Sequence, residues 1–325
     1  MKTLLICYTP LHVMIAERLV KDCYLSDFYL LYICFNKTTR HEYYFERFAR
    51  KAECGGTILC LHHNLRDLFD LLRWKRVTDR LAFDSIITGN MKHFHSRYVA
   101  YLLGIKKFQS FDDGSGNIVN GGYFKNMREA IIGRLIFTIM DSSYRYHNVV
   151  SKLDVHYSIY SERNVFLPYA KAIKKIDLFD DRLGEKNEFQ DETANVYFGH
   201  ALVEDGLCDI GRAEAIDEVI YKKYQINFFV PHPRSISQSE FKPMKDHVVE
   251  EPFAAEELVF GLLGKFKRVR VIGINSTALL NVKCTNRVDA VNIDVAGLFA
   301  SGALRAAMET RGIAQITEAE LYDQV

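Results

Sequence analysis

Hydrophobic residues in the first half of the chain form short runs that alternate with amphipathic segments. Segments with apolar residues three and four positions apart, such as 41–52 and 96–103, predict helices between these runs. The runs predict strands at residues 4–7, 28–35, 57–61, 85–88 and 108–111. Because strand and helix alternate, we expect a parallel sheet with helices on its faces. Residues 121–169 are more helical and less regular, and the apolar stripe at 130–140 is expected to pack on another domain or a second subunit.

An acidic and polar stretch at residues 176–195 interrupts this pattern, after which the alternation resumes. Further strands are predicted at residues 196–198, 226–230, 269–274 and 290–293, and helices at 210–223, 253–266, from Ser276, and at 297–310 with Gly312 as C-cap. We therefore predict an α/β protein of two Rossmann-like domains, residues 1–185 and 186–325, which face each other across a cleft.

Composition excludes several classes of protein. The chain has 325 residues, 48% of them hydrophobic, so it can form two cores and does not belong to the disordered class. A formal net charge of +1 with both signs interspersed gives no field for general nucleic-acid binding. The seven cysteines are scattered and include no C-x-x-C pair, which argues against a disulfide framework or a zinc site and favours a reducing cytoplasm.

The amino-terminal segment MKTLLICYTPLHVMIAERLV places a lysine before an apolar run, as a signal peptide does. Polar residues and Pro10 break the run, and no small-residue cleavage site follows, so we interpret it as the first strand and helix. The longest other apolar stretch, residues 130–140, contains Gly133 and Arg134 and is shorter than the roughly 20 residues of a membrane span.

Two polar segments follow predicted strands: FDDGSGN at residues 111–117 and FVPHPR at 229–234. Loops at the carboxyl ends of parallel strands collect ligand-binding residues, so the two segments predict a binding site. In the second segment, prolines on both sides fix the backbone of His232. This indicates either an imidazole whose position matters for function or a turn histidine bonded to the backbone.

The acidic loop has three interpretations. A glycine turn at Gly114 is expected to expose both Asp112 and Asp113 at the sheet edge, where they could bind a metal, act as a general base, or cap a helix as a structural turn. Thr9 follows the first strand, and we expect Thr9 and Asn117 to line the acceptor side of the site.

Three polar residues, Asn275, Ser276 and Thr277, follow the strand VRVIGI and open a helix. Hydroxyl groups and free backbone N–H groups there predict an anion site, with a simple N-cap as the alternative. His62, His63, His93 and His95 have no carboxylate or cysteine at ligand spacing, so we interpret them as surface or helix-start residues and predict no metal site. The segment RWKR at residues 73–76 fits either an anionic membrane surface or a solvated helix end.

The order of three segments resembles glycosyltransferase family 52, the lipooligosaccharide α-2,3-sialyltransferase family: ICYTPLHVMIAERL, then FDDGSGN, then FVPHPR. The resemblance implies the GT-B fold, with the acceptor side in residues 1–185 and the CMP-donor site in residues 186–325. It implies an inverting, metal-independent sialyltransferase that moves N-acetylneuraminic acid from CMP-Neu5Ac to O3 of a terminal galactose. Lipooligosaccharide, O-antigen or capsule is the implied acceptor.

The resemblance also suggests roles for single residues. The family's base is an aspartate in the loop that here reads GHALVEDGLCD, which favours Asp205, then Glu204, then Asp209; the pair Asp112 and Asp113 stays an alternative. His232 would protonate the departing phosphate. The residues expected to bind the donor are Arg234, Glu250 (or its neighbour Glu251), Asn275, Ser276 and Thr277.

Family members can carry an amino-terminal membrane anchor, which this chain is expected to lack, and they can form dimers, some domain-swapped. We therefore expect a cytoplasmic homodimer, peripheral at the inner membrane, with residues 121–169 as the place of exchange. Two alternatives are open. One is a GT-B hexosyltransferase that uses a UDP-sugar, and the other is a non-catalytic two-domain carbohydrate- or nucleotide-binding protein.

Overall fold

A computed structural model describes residues 2–52, 55–118, 130–160, 164–179, 190–232, 235, 246–249, 253–295 and 302–323. The chain divides into two compact units, Met1–Leu178 and Phe179–Val325. The domain boundary predicted between residues 185 and 186 falls in a segment outside the described residues. Each unit is an α/β domain with its own parallel sheet, as the alternating pattern predicts.

The first unit is built on a sheet of seven parallel strands. The strands are β1 (Thr3–Cys7), β2 (Phe28–Cys34), β3 (Gly56–Cys60), β4 (Ser85–Thr88), β5 (Phe108–Phe111), β6 (Leu153–Ser158) and β7 (Ala172–Lys175). The helices are α1 (Pro10–Lys21), α2 (Thr39–Ala49), α3 (Arg66–Val77), α4 (Phe94–Leu102), α5 (Ile131–Met140) and α6 (Tyr146–Val150). The spatial order is β3-β2-β1-β4-β5-β6-β7.

Burial explains why the inner strands read as unbroken apolar runs. Every residue of β1, β2 and β4 is buried, because helices cover both faces of a parallel sheet. The edge strand β7, with the sequence AIKK, is mostly exposed. The two strands β6 and β7 lie in the region 121–169 and just beyond it, where the sequence pattern predicts no strand.

The second unit has five parallel strands in the order β12-β11-β10-β8-β9. They are β8 (Gln190–Phe198), β9 (Phe228–Val230), β10 (Phe266–Ile274), β11 (Val288–Asp294) and β12 (Ala314–Thr317). The helices are α7 (Ile210–Tyr224), α8 (Ala255–Leu263), α9 (Ala278–Val282), α10 (Gly302–Thr310) and α11 (Glu318–Tyr322).

Two helix ends differ from the sequence prediction. The helix predicted to run to residue 266 ends at Leu263, because Gly264 caps it and Phe266 already begins β10. The last predicted helix was expected to start at residue 297, which lies outside the described residues, and α10 begins at Gly302. Gly312 has a φ of 67°, the left-handed conformation expected of the residue that closes this helix.

The order of strands in the first sheet reverses between β1 and β4. Connections from β1 run to one side through β2 and β3, and those from β4 run to the other side through β5, β6 and β7. At such a switch point the loops that leave the carboxyl ends of the strands diverge and leave a crevice, the usual ligand site of open α/β sheets. The loops after β1, β4 and β5 meet there.

Candidate active site

The carboxylate of Asp113 is held at the switch point by two side chains from neighbouring loops. His12 Nε2 lies 2.6 Å from its Oδ1, and Asn90 Nδ2 donates to its Oδ2 at 2.8 Å. His12 is in the first turn of α1, and Asn90 follows β4. The backbone N–H of Asp113 donates to Asn117 Oδ1 at 2.8 Å, which fixes the loop itself. With its side chain 22% exposed, Asp113 is fixed in position and still open to a ligand.

The orientation of the His12 ring follows from its other nitrogen. The backbone N–H of Tyr8 donates to Nδ1 at 3.1 Å, so Nδ1 is an acceptor and Nε2 carries the proton that points at Asp113. The ring is fully buried. Gly89 lies against it so closely that a Cβ there would be 2.4 Å from His12 Cε1. Both ring nitrogens make hydrogen bonds, so His12 positions the Asp113 carboxylate.

Asp112 points the opposite way and is fully buried, so the expectation that the turn exposes both carboxylates is wrong for this residue. Its oxygens lie within hydrogen-bond distance of His156 Nε2 (2.9 Å), Ser158 Oγ (2.7 Å), Ile159 N (2.7 Å) and Asn164 Nδ2 (2.8 Å). Successive residues of an extended chain face opposite sides, which separates the two neighbours. Asp112 therefore locks β5 to β6 and the loop after β6.

The same network contains a serine, a histidine and an aspartate connected as in a hydrolase triad. Ser110 Oγ lies 2.7 Å from His156 Nδ1, and His156 Nε2 lies 2.9 Å from Asp112 Oδ1. All three side chains are completely buried. A triad needs a serine that a substrate can reach, so this arrangement is structural.

The remaining sequence-predicted residues of the first unit shape the loops. Gly114 has a φ of 119° and a ψ of −158°, a conformation that essentially only glycine adopts. Thr9 is the N-cap of α1 and accepts from the backbone N–H of His12 at 3.3 Å. Asn117 is buried, and its Oδ1 accepts from Asp113. Thr9 and Asn117 thus hold the residues that flank the Asp113 carboxylate.

A cavity of about 550 Å³ lies in the first unit, and His63, His93 and His95 are among the residues that line it. Next to it the rings of Tyr8, Phe35, His63 and His93 stack, with centroids 3.8 Å apart for Phe35 and His63 and 4.8 Å for Tyr8 and His93. Burial, followed by the nearby imidazoles, lowers the pKa of His93 from 6.5 to about 3. His93 is therefore neutral at physiological pH.

His95 and Asp67 form a second buried pair in the wall of this cavity. His95 Nε2 lies 3.0 Å from Asp67 Oδ2, and the backbone N–H of His62 donates to Asp67 Oδ1 at 2.9 Å. Burial lowers the pKa of His95, while Asp67 opposes this effect. The sequence pattern gives these histidines only as surface or helix-start residues, because Asp67 lies 28 positions from His95.

In the second unit, the loops after β8 and β9 lie side by side. Ser235 Oγ donates to Glu204 Oε1 at 3.3 Å, and the backbone N–H of Ser235 donates to His232 O at 2.9 Å. The acidic loop is closed by Gly206, whose φ is 67°. Asp205 and Glu204 are exposed and His232 is half-buried. The structure thus brings the Glu-Asp-Gly turn next to the loop that carries His232.

Two other polar residues near this turn have structural partners. His200 accepts at Nδ1 from the backbone N–H of Leu202 at 3.3 Å, and its Nε2 lies 3.1 Å from Asp217 Oδ1. It is buried. Asp209 is the N-cap of α7 and accepts from the backbone N–H of Arg212 at 2.8 Å. Of the carboxylates in this loop, Asp205 and Glu204 are the better candidates for a base.

The turn after β10 has only part of the predicted anion-site geometry. Asn275 has a φ of 45° and accepts from Asn292 Nδ2 at 3.3 Å. Ser276 is half-buried and Thr277 is exposed, and the Thr277 side chain makes no capping hydrogen bond to α9. The helix is five residues long, so its end contributes little to anion binding. Arg234, Glu250 and Glu251 lie outside the described residues.

Two features, a cluster of metal ligands and a membrane-spanning helix, are absent from the described part of the chain. No group of three or more His, Cys, Asp or Glu side chains there is arranged to hold a metal ion. No helix in that part is both long enough and apolar enough to cross a membrane.

Comparison with known proteins adds a family and a fold. The sequence model of glycosyltransferase family 52 matches residues 26–296. A CMP-N-acetylneuraminate:beta-galactoside alpha-2,3-sialyltransferase of Pasteurella multocida is 26% identical over 236 residues, which cover 71% of this chain and 72% of that protein. An N-acetyllactosaminide alpha-2,3-sialyltransferase of Neisseria meningitidis is 22% identical over 246 residues, 71% of this chain and 62% of that protein.

Similar solved structures include S. aureus MnaA with UDP, with a TM-score of 0.58, 12% identity, and coverage of 99% of this chain and 86% of that one. A putative UDP-N-acetylglucosamine 2-epimerase from Listeria monocytogenes gives a TM-score of 0.52 at 12% identity, with coverage of 95% and 81%. At this identity the likeness shows the fold alone, and the fold is GT-B.

Proposed function

Because the chain belongs to glycosyltransferase family 52, we propose that it is an inverting, metal-independent sialyltransferase that transfers N-acetylneuraminic acid from CMP-Neu5Ac to a terminal galactose. One observation carries the proposal: both relatives are α-2,3-sialyltransferases, and the range matched by the family model includes the Glu-Asp-Gly turn and the His232 loop. The α-2,3 linkage comes from the same relatives. The donor has a single phosphate, so its chemistry does not need the metal that a diphosphate donor favours.

The reaction needs one base and one acid. A carboxylate takes the proton of the galactose O3 hydroxyl, O3 attacks the anomeric carbon of the sialyl group from the face opposite the phosphate, and the carbon–oxygen bond to the phosphate breaks. The His232 imidazolium gives its proton to the phosphate oxygen, and CMP leaves. Ser276, Thr277 and Arg234 would stabilise the negative charge on that phosphate.

Asp205 is the first choice for the base. The hydrogen bond between Ser235 and Glu204 holds its turn beside the His232 loop, and its side chain is exposed. Glu204 lies in the same turn but accepts from Ser235. Asp113 is the alternative from the first unit, because His12 and Asn90 fix an accessible carboxylate. Asp112 is excluded as a base by its complete burial.

Substitution distinguishes the two remaining carboxylates. If Asp205 is the base, Asp205→Asn lowers kcat by about 10²- to 10⁴-fold and removes the acid limb of the pH–rate profile. Asp113→Asn then raises KM for the acceptor and leaves that limb in place. The reverse result would assign the base to Asp113. Glu204→Gln serves as the control within the same turn and should keep most of the activity.

The donor is tested by turnover in EDTA. The purified chain is given CMP-Neu5Ac, UDP-galactose and UDP-glucose, with and without lactose. Release of CMP that lactose stimulates supports the proposal. Turnover of a UDP-sugar alone would make the chain a hexosyltransferase, and binding of CMP without any turnover would make it a carbohydrate- or nucleotide-binding protein.

The biological setting is part of the proposal. We place the enzyme in the cytoplasm, at the inner membrane, with the terminal galactose of lipooligosaccharide, O-antigen or capsule as its acceptor. We also propose a homodimer. Light scattering at micromolar concentration checks this assembly, and a monomeric mass would contradict it.

A further inference from the structure

Two cysteines lie side by side at the carboxyl ends of β2 and β3. Cys34 is the last residue of β2 and Cys60 is the last residue of β3, and the register of the two parallel strands places them directly opposite each other. The backbone N–H of Leu61 donates to Cys34 O at 2.9 Å, so the ladder of hydrogen bonds continues through the pair. Side chains at paired positions of neighbouring strands point to the same face of the sheet, which brings the two sulfur atoms together.

The spacing of the strands puts this pair within reach of a disulfide bond. Neighbouring strands lie about 4.7–4.9 Å apart, and disulfide-bonded cysteines usually have Cα atoms about 4.4–6.8 Å apart. Both cysteines are free thiols, and the two thiols are hydrogen-bonded to each other. Cys34 Sγ also donates to Leu59 O at 3.6 Å. No large movement of the chain is therefore needed to join the two sulfur atoms.

The two thiols differ in their access to solvent. Cys34 is 1% exposed, whereas Cys60 is half-buried because it belongs to the edge strand β3. Burial, followed by the neighbouring Cys60, raises the pKa of Cys34 to about 11, although the charge of Lys37 acts in the opposite direction. An oxidant therefore reaches Cys60 first, and Cys34 is placed to react with the oxidised Cys60 from inside the protein.

We propose that Cys34 and Cys60 are a redox-active pair, which forms a reversible disulfide bond when a hydroperoxide oxidises Cys60. Cys34 is then the resolving thiol, the one that attacks the oxidised sulfur. The pair lies in the first unit and requires only a peroxide and, for its reversal, a small thiol such as glutathione. The proposal does not depend on the donor, the acceptor or the identity of the base.

The reaction has two steps. The Cys60 thiolate attacks a peroxide oxygen, so that an S–O bond forms, the O–O bond breaks, and the other oxygen leaves as an alcohol or water after it takes up a proton. The Cys34 sulfur then attacks the Cys60 sulfur. The S–S bond forms, the S–O bond breaks, and hydroxide leaves with the proton of Cys34 as water. Two electrons pass from the two thiols to the peroxide.

The position of the pair favours a bond that is easily reduced. Side chains of directly opposite residues run parallel, so their Cβ atoms stay about as far apart as the strands, beyond the roughly 3.5–4.5 Å of a relaxed disulfide. The bond must therefore pull β3 toward β2, and strained disulfides are the ones that reductants open most readily. β3 has a neighbouring strand on one side only, so it can move. Disulfides of the reducing cytoplasm are usually transient ones of this kind.

Cys7 shows what a purely structural cysteine looks like in the same sheet. It is the last residue of β1, it is fully buried, and it lies opposite Tyr32. Burial raises its pKa well above the ordinary value. A cysteine that serves only as a small apolar residue needs such a position. Cys60 differs because it is partly open to solvent and has a second thiol as its partner.

Peptide mapping of the oxidised protein tests the proposal. The full chain is reduced, treated with hydrogen peroxide at low protein concentration, blocked with iodoacetamide, digested and analysed by mass spectrometry. We expect a cross-linked peptide that contains Cys34 and Cys60 and is lighter by two hydrogen atoms than the two separate peptides together. Reduced glutathione should then restore both thiols.

Two single variants separate the roles of the thiols, and both should lose the cross-link completely. Cys60→Ala should leave Cys34 unoxidised, because Cys34 is buried. Cys34→Ala should let Cys60 accumulate as the sulfenic acid, which dimedone labels. Cys284→Ala, at an exposed cysteine of the second unit, is the matched control and should form the bond in wild-type yield. Circular dichroism checks the fold, and Cys60→Ala, at the half-buried position, still tests the proposal if Cys34→Ala does not fold.

The outcomes are distinct. A cross-link between Cys34 and Cys60 that both variants lose and the control keeps supports the proposal. A pair that stays reduced in peroxide, or a Cys60 that proceeds to the sulfinic acid without a cross-link, overturns it. A disulfide that joins Cys60 to any other cysteine also overturns it. A cross-link that reduced glutathione leaves intact would contradict the reversible bond.

Discussion

Gly89→Ala tests the positioning of Asp113 by a single added methyl group. A Cβ at Gly89 would lie 2.4 Å from His12 Cε1, 2.6 Å from Nε2 and 2.8 Å from Nδ1. Gly89 is not one of the described residues with a positive φ, so its backbone conformation is one that alanine can also adopt. The only conflict is with a buried imidazole that is held by Tyr8 on one side and by Asp113 on the other.

The size of the effect follows from these contacts. Ordinary contacts begin at 3.4 Å, so the His12 ring must move by about 1 Å. Overpacking of this kind costs about 1–3 kcal/mol, and a buried imidazole that loses a hydrogen bond costs about 1–3 kcal/mol more. We therefore expect the free energy of unfolding to fall by about 2–6 kcal/mol. If Asp113 contacts the acceptor, a shift of about 1 Å should also lower kcat/KM by about 10²-fold.

Urea unfolding and kcat/KM for lactose check both parts, measured at a temperature where the variant is folded. Gly261→Ala is the matched control, since nothing lies within 4 Å of a Cβ at that position in α8, and alanine should stabilise the helix by about 1 kcal/mol. A Gly89→Ala variant as stable and as active as the wild type would refute the described geometry. Lower stability with unchanged kcat/KM would make the His12–Asp113 pair purely structural.

Three further substitutions test other parts of the structure. Asp112→Asn puts an amide where four donors converge, and the free energy of unfolding measured with urea should fall by about 3 kcal/mol or more. In the folded protein the pKa of His93 is about 3, below its ordinary value of 6.5. As the pH is lowered below 6.5, His93 therefore takes up a proton in the unfolded state first, and the free energy of unfolding decreases. From pH 7 to pH 5 this loss is about 2 kcal/mol, and His93→Asn should remove it from the urea-unfolding pH profile. His232→Ala should lower kcat by about 10²-fold or more. The melting temperature should stay nearly unchanged, because His232 is half-buried in a loop. If the variant has the kcat of the wild type, His232 is not the acid of the reaction.

The strands that are buried throughout were predictable because a strand covered on both faces needs an apolar side chain at nearly every position, which appears in the sequence as an apolar run. Two edge strands carry no such signal: β7 reads AIKK and β12 reads AQIT, whereas the edge strands β3 and β9 have apolar runs that the sequence does show. A local signal did exist for α11, where Thr317 and Glu320 form a capping box. The sequence prediction did not use it.

The loops of the site were predictable, but the direction of each side chain was not. Asp112 and Asp113 are neighbours, yet one is fully buried and the other faces the loops after β1 and β4. His12 has no local signal, because its partner Asp113 is 101 positions away. Such pairs depend on which strands are adjacent in the sheet, and this order is known only from the structure.

The most direct test of the proposed function is the product of one reaction. The purified chain is incubated with CMP-Neu5Ac and lactose in EDTA, and the product is characterised by mass spectrometry and NMR. We expect sialyllactose with an inverted anomeric centre, linked α-2,3 to galactose, in equal yield with and without EDTA. A hexose transferred from a UDP-sugar in place of the sialyl group, or a product formed only when metal is restored, would contradict it.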